Sequence, residues 1–244
     1  MNIKNIFTGL TLSLLLSSLT VGASSLLPTW DELSEGEVVK PLTAFLLGDH
    51  KTALAELTRL ANLGDADAQN NLADMYADGK GVIRNDKTAV KWYTKAAEQG
   101  HAEAQFSLGF MNWGKGARGT TVKWFTKSAE QGHAQAQFYL GNIYDNGSGV
   151  LENNKTAVKW YTKAAQQGNA DGQKALGISY YNGTGIPKNI KRAYMWVNLA
   201  AYNYKGLKYA DAAKEGFASQ MTPADISKAQ DMSSRCLESG YTDC

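Results

Sequence analysis

Apolar positions follow helical spacing in two successive stretches of the chain. In the first stretch Ala136, Leu140 and Tyr144 lie four residues apart, so they share one face of a helix. In the second stretch Ala157 and Trp160 fall on a common face of a further helix. Glycine-rich residues separate the two stretches, which favours a tight turn over a continuous helix. The pattern therefore predicts a helical hairpin.

The hairpin pattern occurs four times, with a period of 36 residues that shortens to 32 in the second copy. One hairpin cannot bury its apolar face alone, so repeats of this length stack side by side. We predict an all-α fold, an α/α superhelical solenoid with a concave and a convex side. Small residues such as Gly141 allow the two helices to approach, and we expect a repeated tryptophan to fill the remaining space. This tryptophan is found at Trp92, Trp124, Trp160 and Trp196.

Glycines and capping residues mark the ends of the predicted helices. A glycine follows each second helix, where a left-handed residue commonly ends a helix. Asn85, Asn153 and Asn189 are expected to cap the second helices. The residue after each terminal glycine is expected to cap the first helix of the following repeat. Two of these residues are histidines, so we expect them to have a structural role and not a metal-binding one. These first-helix caps are Asp65, His101, His133 and Asn169.

The repeats set the predicted domain boundaries. Residues 38–64 form a divergent N-terminal hairpin, preceded by a lead-in segment at 24–37. Residues 207–244 hold capping helices and a cysteine-containing tail. One of these helices should run from Pro223 to about Leu237, since proline suits the first helical position. The four repeats are residues 65–100, 101–132, 133–168 and 169–206.

The second copy is shorter than the others between its two helices. One residue is missing at the end of its first helix, and three more are missing after Gly116. We expect a shortened connection there, although a G-x-G turn is still expected at Gly114 and Gly116. Two interpretations remain open for the tyrosine position of this copy: Asn112 replaces the tyrosine, or Trp113 turns in to fill its place.

The motif A-x-A-Q-x-x-L-G-x-x-Y-x-x-G-x-G-V, followed by A-x-x-W-Y-x-x-A-A-x-x-G, is most complete from Ala134 to Gly168. This motif resembles the Sel1-like repeat, a relative of the tetratricopeptide repeats. The resemblance covers roughly residues 44–229, and it implies stacked hairpins that bind other proteins. Some cysteine-rich secreted members are described as binding or hydrolysing β-lactams. Those members carry a cysteine pair in repeat after repeat, so a β-lactam-binding or hydrolase-like protein is kept here only as an alternative.

Residues 1–23 have the character of a secretory signal peptide. Lys4 gives a positive start, residues 6–19 are mostly apolar, and Val21-Gly22-Ala23 fits a cleavage site. The apolar run is shorter than the ~20 residues that a membrane span needs. We therefore expect cleavage after Ala23, no stable membrane span afterwards, and a periplasmic or secreted protein of the exported bacterial type.

Cys236 and Cys244 are the two cysteines of the chain. A single pair in an exported protein favours a disulfide. Eight residues along one continuous helix would separate the pair by about 12 Å, which is too far for a bond. The prediction therefore needs a break, which Gly240 supplies. A reactive or metal-binding pair is the alternative, and the neighbouring sequence offers few further ligands.

Charge and the absence of known motifs restrict the possible functions. A net charge of +2 gives no electrostatic footprint for nucleic acid or an anionic membrane. None of the strings H-E-x-x-H, G-x-S-x-G, S-x-x-K or a P-loop occurs. We therefore predict a non-catalytic protein with no cofactor and no metal site.

Lysines four residues apart recur on the second helices. Stacking would align them into a ladder of positive charge. We expect a solvated outer face there, with an acidic partner as the alternative. The ladder comprises Lys91, Lys95, Lys123, Lys127, Lys159 and Lys163.

In tetratricopeptide-like arrays the first helix of each hairpin lines the concave side. We therefore predict an adaptor or scaffold that binds a protein or peptide there, as an extended segment or a helix. Packing between hairpins is the alternative role for Phe106 and Phe138, and a cell-wall glycan binder using Trp113, Phe106 and Phe110 is an alternative function. The predicted concave-face residues are Asn70, Asp74, Phe106, Phe110, Phe138, Asn142, Lys174 and Ile178.

Overall fold

The computed structural model describes residues 49–204 and 208–244, and every regular element within them is an α-helix. The predicted signal peptide, the lead-in with Trp30 and the first helix of the N-terminal hairpin lie outside the described residues. The helices are α1 (His50–Asn62), α2 (Ala66–Asp78), α3 (Asp86–Glu98), α4 (Ala102–Gly114), α5 (Arg118–Glu130), α6 (Ala134–Asn146), α7 (Asn154–Ala165), α8 (Ala170–Asn182), α9 (Ile190–Asn203), α10 (Lys208–Ala218) and α11 (Pro223–Glu238).

The helices pack in chain order. Four hairpins, α2/α3, α4/α5, α6/α7 and α8/α9, follow one another, and each second helix also packs on the next first helix. At the ends of this stack, α1 packs on α2, and α9 packs on both α10 and α11. Because each helix contacts mainly its neighbours along the chain, the structure is a solenoid of stacked hairpins. The predicted fold class is confirmed.

Close approach of the two helices in a hairpin depends on a glycine facing an aromatic ring. A Cβ atom added to Gly141 would lie 2.6 Å from the Tyr161 ring, and one added to Gly109 would lie 2.6 Å from the Phe125 ring. Tyr161 and Phe125 each follow the repeated tryptophan. The expectation that Trp160 fills this space is therefore wrong, because the next residue along the helix points there instead.

Trp92 and Trp160 are only partly buried, and lysines of the same helices cover their rings. Nζ of Lys95 lies 4.0 Å from the ring centroid of Trp92, and Nζ of Lys163 lies 4.5 Å from that of Trp160. Contacts of this kind at exposed sites contribute about 0.5–1 kcal/mol each. Both lysines are exposed, in agreement with the predicted solvated face. Trp124 and Trp196, in the second and fourth repeats, are buried.

The predicted capping of the second helices is confirmed. Oδ1 of Asn85 accepts a hydrogen bond from the N–H of Thr88 at 3.0 Å, and Asn153 and Asn189 make the equivalent bonds. The glycines that follow the second helices have φ between 78° and 100°, as a left-handed helix end requires. These local signals give each hairpin its ends, and stacking then supplies the core.

The connection inside the second repeat comprises residues 115–117, whereas the others comprise residues 79–85, 147–153 and 183–189. The predicted shortening is confirmed. Gly114, however, ends α4 as a helical residue, and the positive φ expected there is found only at Gly116.

The same repeat resolves the two interpretations of its tyrosine position. The carbonyl of Asn112 accepts the N–H of Ala117 at 3.1 Å, just as the carbonyl of Tyr144 accepts that of Asn153 at 2.8 Å. Asn112 therefore replaces the tyrosine in the backbone pattern. The ring of Trp113, one residue further along, lies 6.0 Å from the ring of Phe125 on α5.

The C-terminal helix and tail agree with the sequence analysis. Helix α11 begins after Thr222, whose Oγ1 accepts the N–H of Asp225 at 3.2 Å. The chain then reverses at Gly240, where φ is 61°, and Cys236 and Cys244 form a disulfide with their Cα atoms 4.9 Å apart. Among the helices of the described residues, none combines the length and the apolar character needed to cross a membrane.

Candidate partner-binding surface

The first helices of successive repeats are joined directly by their cap residues. Nδ1 of His133 accepts the N–H of Ala136 at 3.1 Å, while its Nε2 donates to Oε2 of Glu103 in the preceding repeat at 2.8 Å. Since Nδ1 accepts, the ring hydrogen must be on Nε2. His101 caps α4 in the same way and contacts Asp67 at 2.9 Å.

These bonds have an electrostatic consequence. The hydrogen bond from His101 lowers the pKa of Asp67, and the bond from His133 lowers the pKa of Glu103, although partial burial opposes both shifts. At the next junction Asn169 acts in the same manner without charge, since its Nδ2 donates to Gln135 at 3.1 Å. The predicted capping role of the histidines is confirmed, and the bond to the preceding repeat is an addition to it.

A second set of bonds between repeats is buried and was not predicted. Nε2 of Gln137 donates to the carbonyl of Ala129 in the preceding repeat at 3.0 Å, and its Oε1 accepts from Gln167 at 2.7 Å. The signal was present as the glutamine of A-x-A-Q, because a buried polar side chain at a fixed repeat position must be paired. The same arrangement occurs at Gln69, Gln105 and Gln173.

A cluster of aromatic rings lies between the second and third repeats. The ring centroid of Tyr139 on α6 is 5.8 Å from those of Phe106, Phe110 and Trp113 on α4. Phe125 on α5 lies beneath them, fully buried and 5.5 Å from Tyr139. Phe110 is 53% exposed and Trp113 is 38% exposed. We call Phe106, Phe110, Trp113 and Tyr139 the aromatic patch.

Asn70 and Asp74, two of the predicted concave-face residues, form a local hydrogen-bond group in the first repeat. The hydroxyl of Tyr93 donates to Oδ1 of Asp74 at 2.5 Å, and Nδ2 of Asn70 donates to Oδ2 at 3.2 Å. Burial raises the pKa of Asp74, while the bond from Tyr93 opposes that shift. Asn70 is only 5% exposed. The prediction that Asn70 faces a partner is therefore wrong, because its side chain is enclosed within the repeat.

The remaining predicted residues lie on the later first helices. Phe138 and Asn142 are half-buried on α6. On α8, Lys174 lies 3.5 Å from the carboxylate of Asp171, and Ile178 is 40% exposed. Of the predicted set, the structure thus brings Phe106 and Phe110 into one exposed cluster, and it adds Trp113 and Tyr139.

Several side chains that could carry chemistry are occupied by structural bonds. His101 and His133 each use both ring nitrogens, and Cys236 and Cys244 form the disulfide. Within residues 49–204 and 208–244, no three or more His, Cys, Asp or Glu side chains are grouped so as to hold a metal ion.

Comparison with protein families identifies the four hairpins. The Sel1 repeat model matches residues 66–101, 102–133, 134–169 and 170–204. The chain belongs to the Sel1 repeat family. Each matched unit contains one first helix and one second helix of the solenoid. Sel1 repeat proteins are generally scaffolds for protein interactions and are typically non-enzymatic.

Solved structures show the same fold. A protective antigen present in uropathogenic Escherichia coli strains is 31% identical to this Sel1 repeat chain, with a TM-score of 0.75. The match covers 84% of this chain and 48% of the antigen. A Sel1 repeat protein from Oxalobacter formigenes is 34% identical, with a TM-score of 0.61 over 67% of this chain and 48% of its own. This chain thus spans about half the length of both. A search of curated proteins found no match.

Proposed function

We propose that this Sel1 repeat protein is an exported, non-catalytic adaptor that binds a peptide or helix of a partner protein along its first helices. The observation that carries the proposal is the aromatic patch. Phe110 and Trp113 on α4 are both exposed, and the centroid of each ring lies 5.8 Å from that of Tyr139. Aromatic side chains of this kind are enriched at the centres of protein interfaces, because they offer large contact areas at a small cost in conformational entropy.

The contacts between repeats support the first helices as the inner side of the curved stack. His133 reaches Glu103, Asn169 reaches Gln135, and Tyr139 reaches Phe110, each across two successive first helices. Helix α6 also contacts α8 directly. Equivalent helices come closest on the shorter side of a bent array, which is its concave side.

Two observations support export. Residues 1–23 have the pattern of a secretory signal, and Cys236 and Cys244 form a disulfide. Disulfides persist in a periplasm or outside the cell and are rare in a reducing cytoplasm. Mass spectrometry of protein recovered from the periplasm and the medium should find a chain that starts at Ser24, whereas an intact N-terminus in the cytoplasm would contradict export.

The binding proposal can be tested by capture from cell-envelope extract with a matched pair of variants. Phe110→Asp places a charge in the aromatic patch, while Ile83→Asp places one on an exposed aliphatic residue, 92% accessible, in the first-repeat connection. Proteins held through the patch should be lost with Phe110→Asp and kept with Ile83→Asp. Capture of the same proteins by both variants would contradict the proposed surface.

The exposed rings also favour one second candidate, a cell-wall glycan. Sugar rings stack on aromatic side chains, and Trp113 and Phe110 are accessible for such stacking. Retention on purified cell wall, lost with Phe110→Asp and without a captured protein, would favour the glycan over the adaptor.

A further inference from the structure

A cavity of about 180 Å³ lies beside the aromatic patch, where the second repeat is short. In the first and fourth repeats the longer connection carries an aliphatic residue that packs on the core, Val82 and Ile186 respectively. Residues 115–117 have no such residue, since their sequence is Lys-Gly-Ala. The cavity is therefore at the site of the deletion. Its walls are Trp113, Gly116, Arg118, Thr121, Ile143 and Ser148.

Thr121 is a polar residue at a position where the other repeats have alanine. The equivalent residues are Ala89, Ala157 and Ala193, all fully buried. Thr121 is 3% exposed, and its Oγ1 has no hydrogen-bond partner. An unpaired buried hydroxyl costs about 1–3 kcal/mol. Threonine populates two χ1 rotamers in helices, so its hydroxyl can turn towards a group bound in the cavity.

Helix α5 begins at the same corner of the cavity. Ala117 precedes α5 and makes no side-chain cap bond, whereas Asn85, Asn153 and Asn189 cap the other second helices. An uncapped helix N-terminus carries unpaired N–H groups and a partial positive charge, and it favours an anion. Arg118, the first residue of this helix, adds a full charge and a planar set of donors that matches a carboxylate.

Two of the remaining walls, Ile143 and Trp113, are apolar, while Ser148 adds a hydroxyl. Ile143 is buried, and Trp113 also belongs to the aromatic patch. A ligand that uses both features presents a carboxylate to Arg118 and an apolar group to Trp113 within the dimensions of about one residue. The C-terminal residue of a polypeptide does this, because its carboxylate and its side chain are attached to the same Cα atom.

We propose that this cavity binds the C-terminal carboxylate of a partner polypeptide whose last residue has an apolar side chain. Arg118, the start of α5 and the Thr121 hydroxyl hold the carboxylate, and the side chain lies against Trp113. The site rests on the proposed adaptor function and specifies the part of the partner that is recognised. The short second repeat is thereby the recognition repeat of the array.

The test uses ¹⁵N-labelled protein and the pentapeptide Ser-Gly-Ser-Gly-Phe with a free C-terminus. The indole N–H resonance of Trp113, assigned with Trp113→Phe, should shift in a saturable manner. The same peptide with a C-terminal amide should bind at least tenfold more weakly. A third peptide, Ser-Gly-Asp-Gly-Phe amide, offers an internal carboxylate. The proposal would be overturned if this third peptide bound as tightly as the free-acid peptide. It would also be overturned if the free-acid peptide caused no shift of the Trp113 indole resonance.

Two variants locate the carboxylate. Arg118→Gln and Thr121→Val should each lower the affinity for the free-acid peptide at least fivefold. Lys123→Gln, which removes the same charge from the same helix outside the cavity, should change its affinity less than twofold. Thr121→Val should also raise Tm, because it removes an unpaired hydroxyl at constant volume. A lower Tm, or unchanged peptide affinity in both cavity variants, would contradict the assignment. Capture of partners through Phe110 without any requirement for a free carboxyl terminus would refute the cavity and leave the adaptor standing.

Discussion

Nε2 of His133 lies 2.8 Å from Oε2 of Glu103, and this bond joins the start of one repeat to the start of the preceding repeat. The same imidazole caps its own helix through Nδ1. One side chain therefore fixes both a helix end and the position of a neighbouring repeat. At the next junction Asn169 and Gln135 make the corresponding contacts without a titratable group.

The first prediction concerns a double variant that gives the His133–Glu103 junction the residue types of the Asn169–Gln135 junction. The double variant Glu103→Gln/His133→Asn should change the free energy of unfolding at pH 7 by less than about 1 kcal/mol, since Glu103 is half-exposed and water screens its pair. The acid response should differ. The folded-state pKa of Glu103 is lowered, so its stabilising contribution is complete above the unfolded value near 4.5 and is lost as pH falls through the folded value.

The measurement is thermal unfolding of both proteins between pH 7 and pH 3. The native protein should lose more stability than the double variant below about pH 5, where carboxylates begin to protonate. Asp67 and His101 remain in both proteins and serve as the internal reference. Parallel curves for the two proteins would show that this pair carries no acid sensitivity.

The second prediction concerns the missing cap of α5. Ala117 has φ −80° and ψ 64°, nearly the conformation of Asp49, which caps α1 with φ −80° and ψ 71°. Ala117→Asp should therefore stabilise the protein by about 1 kcal/mol, and removal of an existing cap by Asn153→Ala should cost a similar amount. Urea unfolding would measure both. The same Ala117→Asp variant should lower the affinity for the free-acid peptide, because the carboxylate of the new aspartate would occupy the start of α5.

The third prediction tests the glycine that faces an aromatic ring. Gly141→Ala places a Cβ 2.6 Å from the Tyr161 ring, and it should destabilise the protein by about 1–3 kcal/mol. Ala73 occupies the equivalent place opposite Tyr93 in the first repeat, so a shift of the ring is possible and favours the lower value. Gly119→Ala meets no atom within 4 Å and should instead stabilise by up to about 1 kcal/mol. Equal effects of the two changes would exclude a steric role for Gly141.

The fourth prediction concerns the buried glutamines. Gln137→Leu removes the side-chain donor to the carbonyl of Ala129. That carbonyl still accepts the N–H of Gly132, and the exposed side chain of Gln167 can turn to water. We therefore expect a loss of about 1–2 kcal/mol and not the full cost of a stranded carbonyl. Gln166→Leu, at an exposed neighbouring position, should change stability by less than about 0.5 kcal/mol. Chemical denaturation of both variants provides the comparison.

The candidate surface could be predicted from the sequence only in part. Phe106 and Phe110 were found because they occupy variable positions on a first helix. The sequence offers Trp113 only as a replacement for the repeat tyrosine or as a glycan contact, because its contact with Tyr139 depends on how two helices from different repeats pack. The prediction for Asn70 is wrong, since helical spacing does not reveal that its side chain is buried and bonded to Asp74.

The sequence by itself determined the hairpins, their ends and their number, because helical periodicity, glycine conformation and capping are local and recur in every copy. Only the tertiary structure decided which ring packs against each glycine and which rings from neighbouring repeats meet. It also decided that Thr121 and Arg118 line a cavity at the shortened connection. Those features arise from the distances between stacked helices, and such distances depend on side chains far apart in the chain that a repeating pattern does not specify.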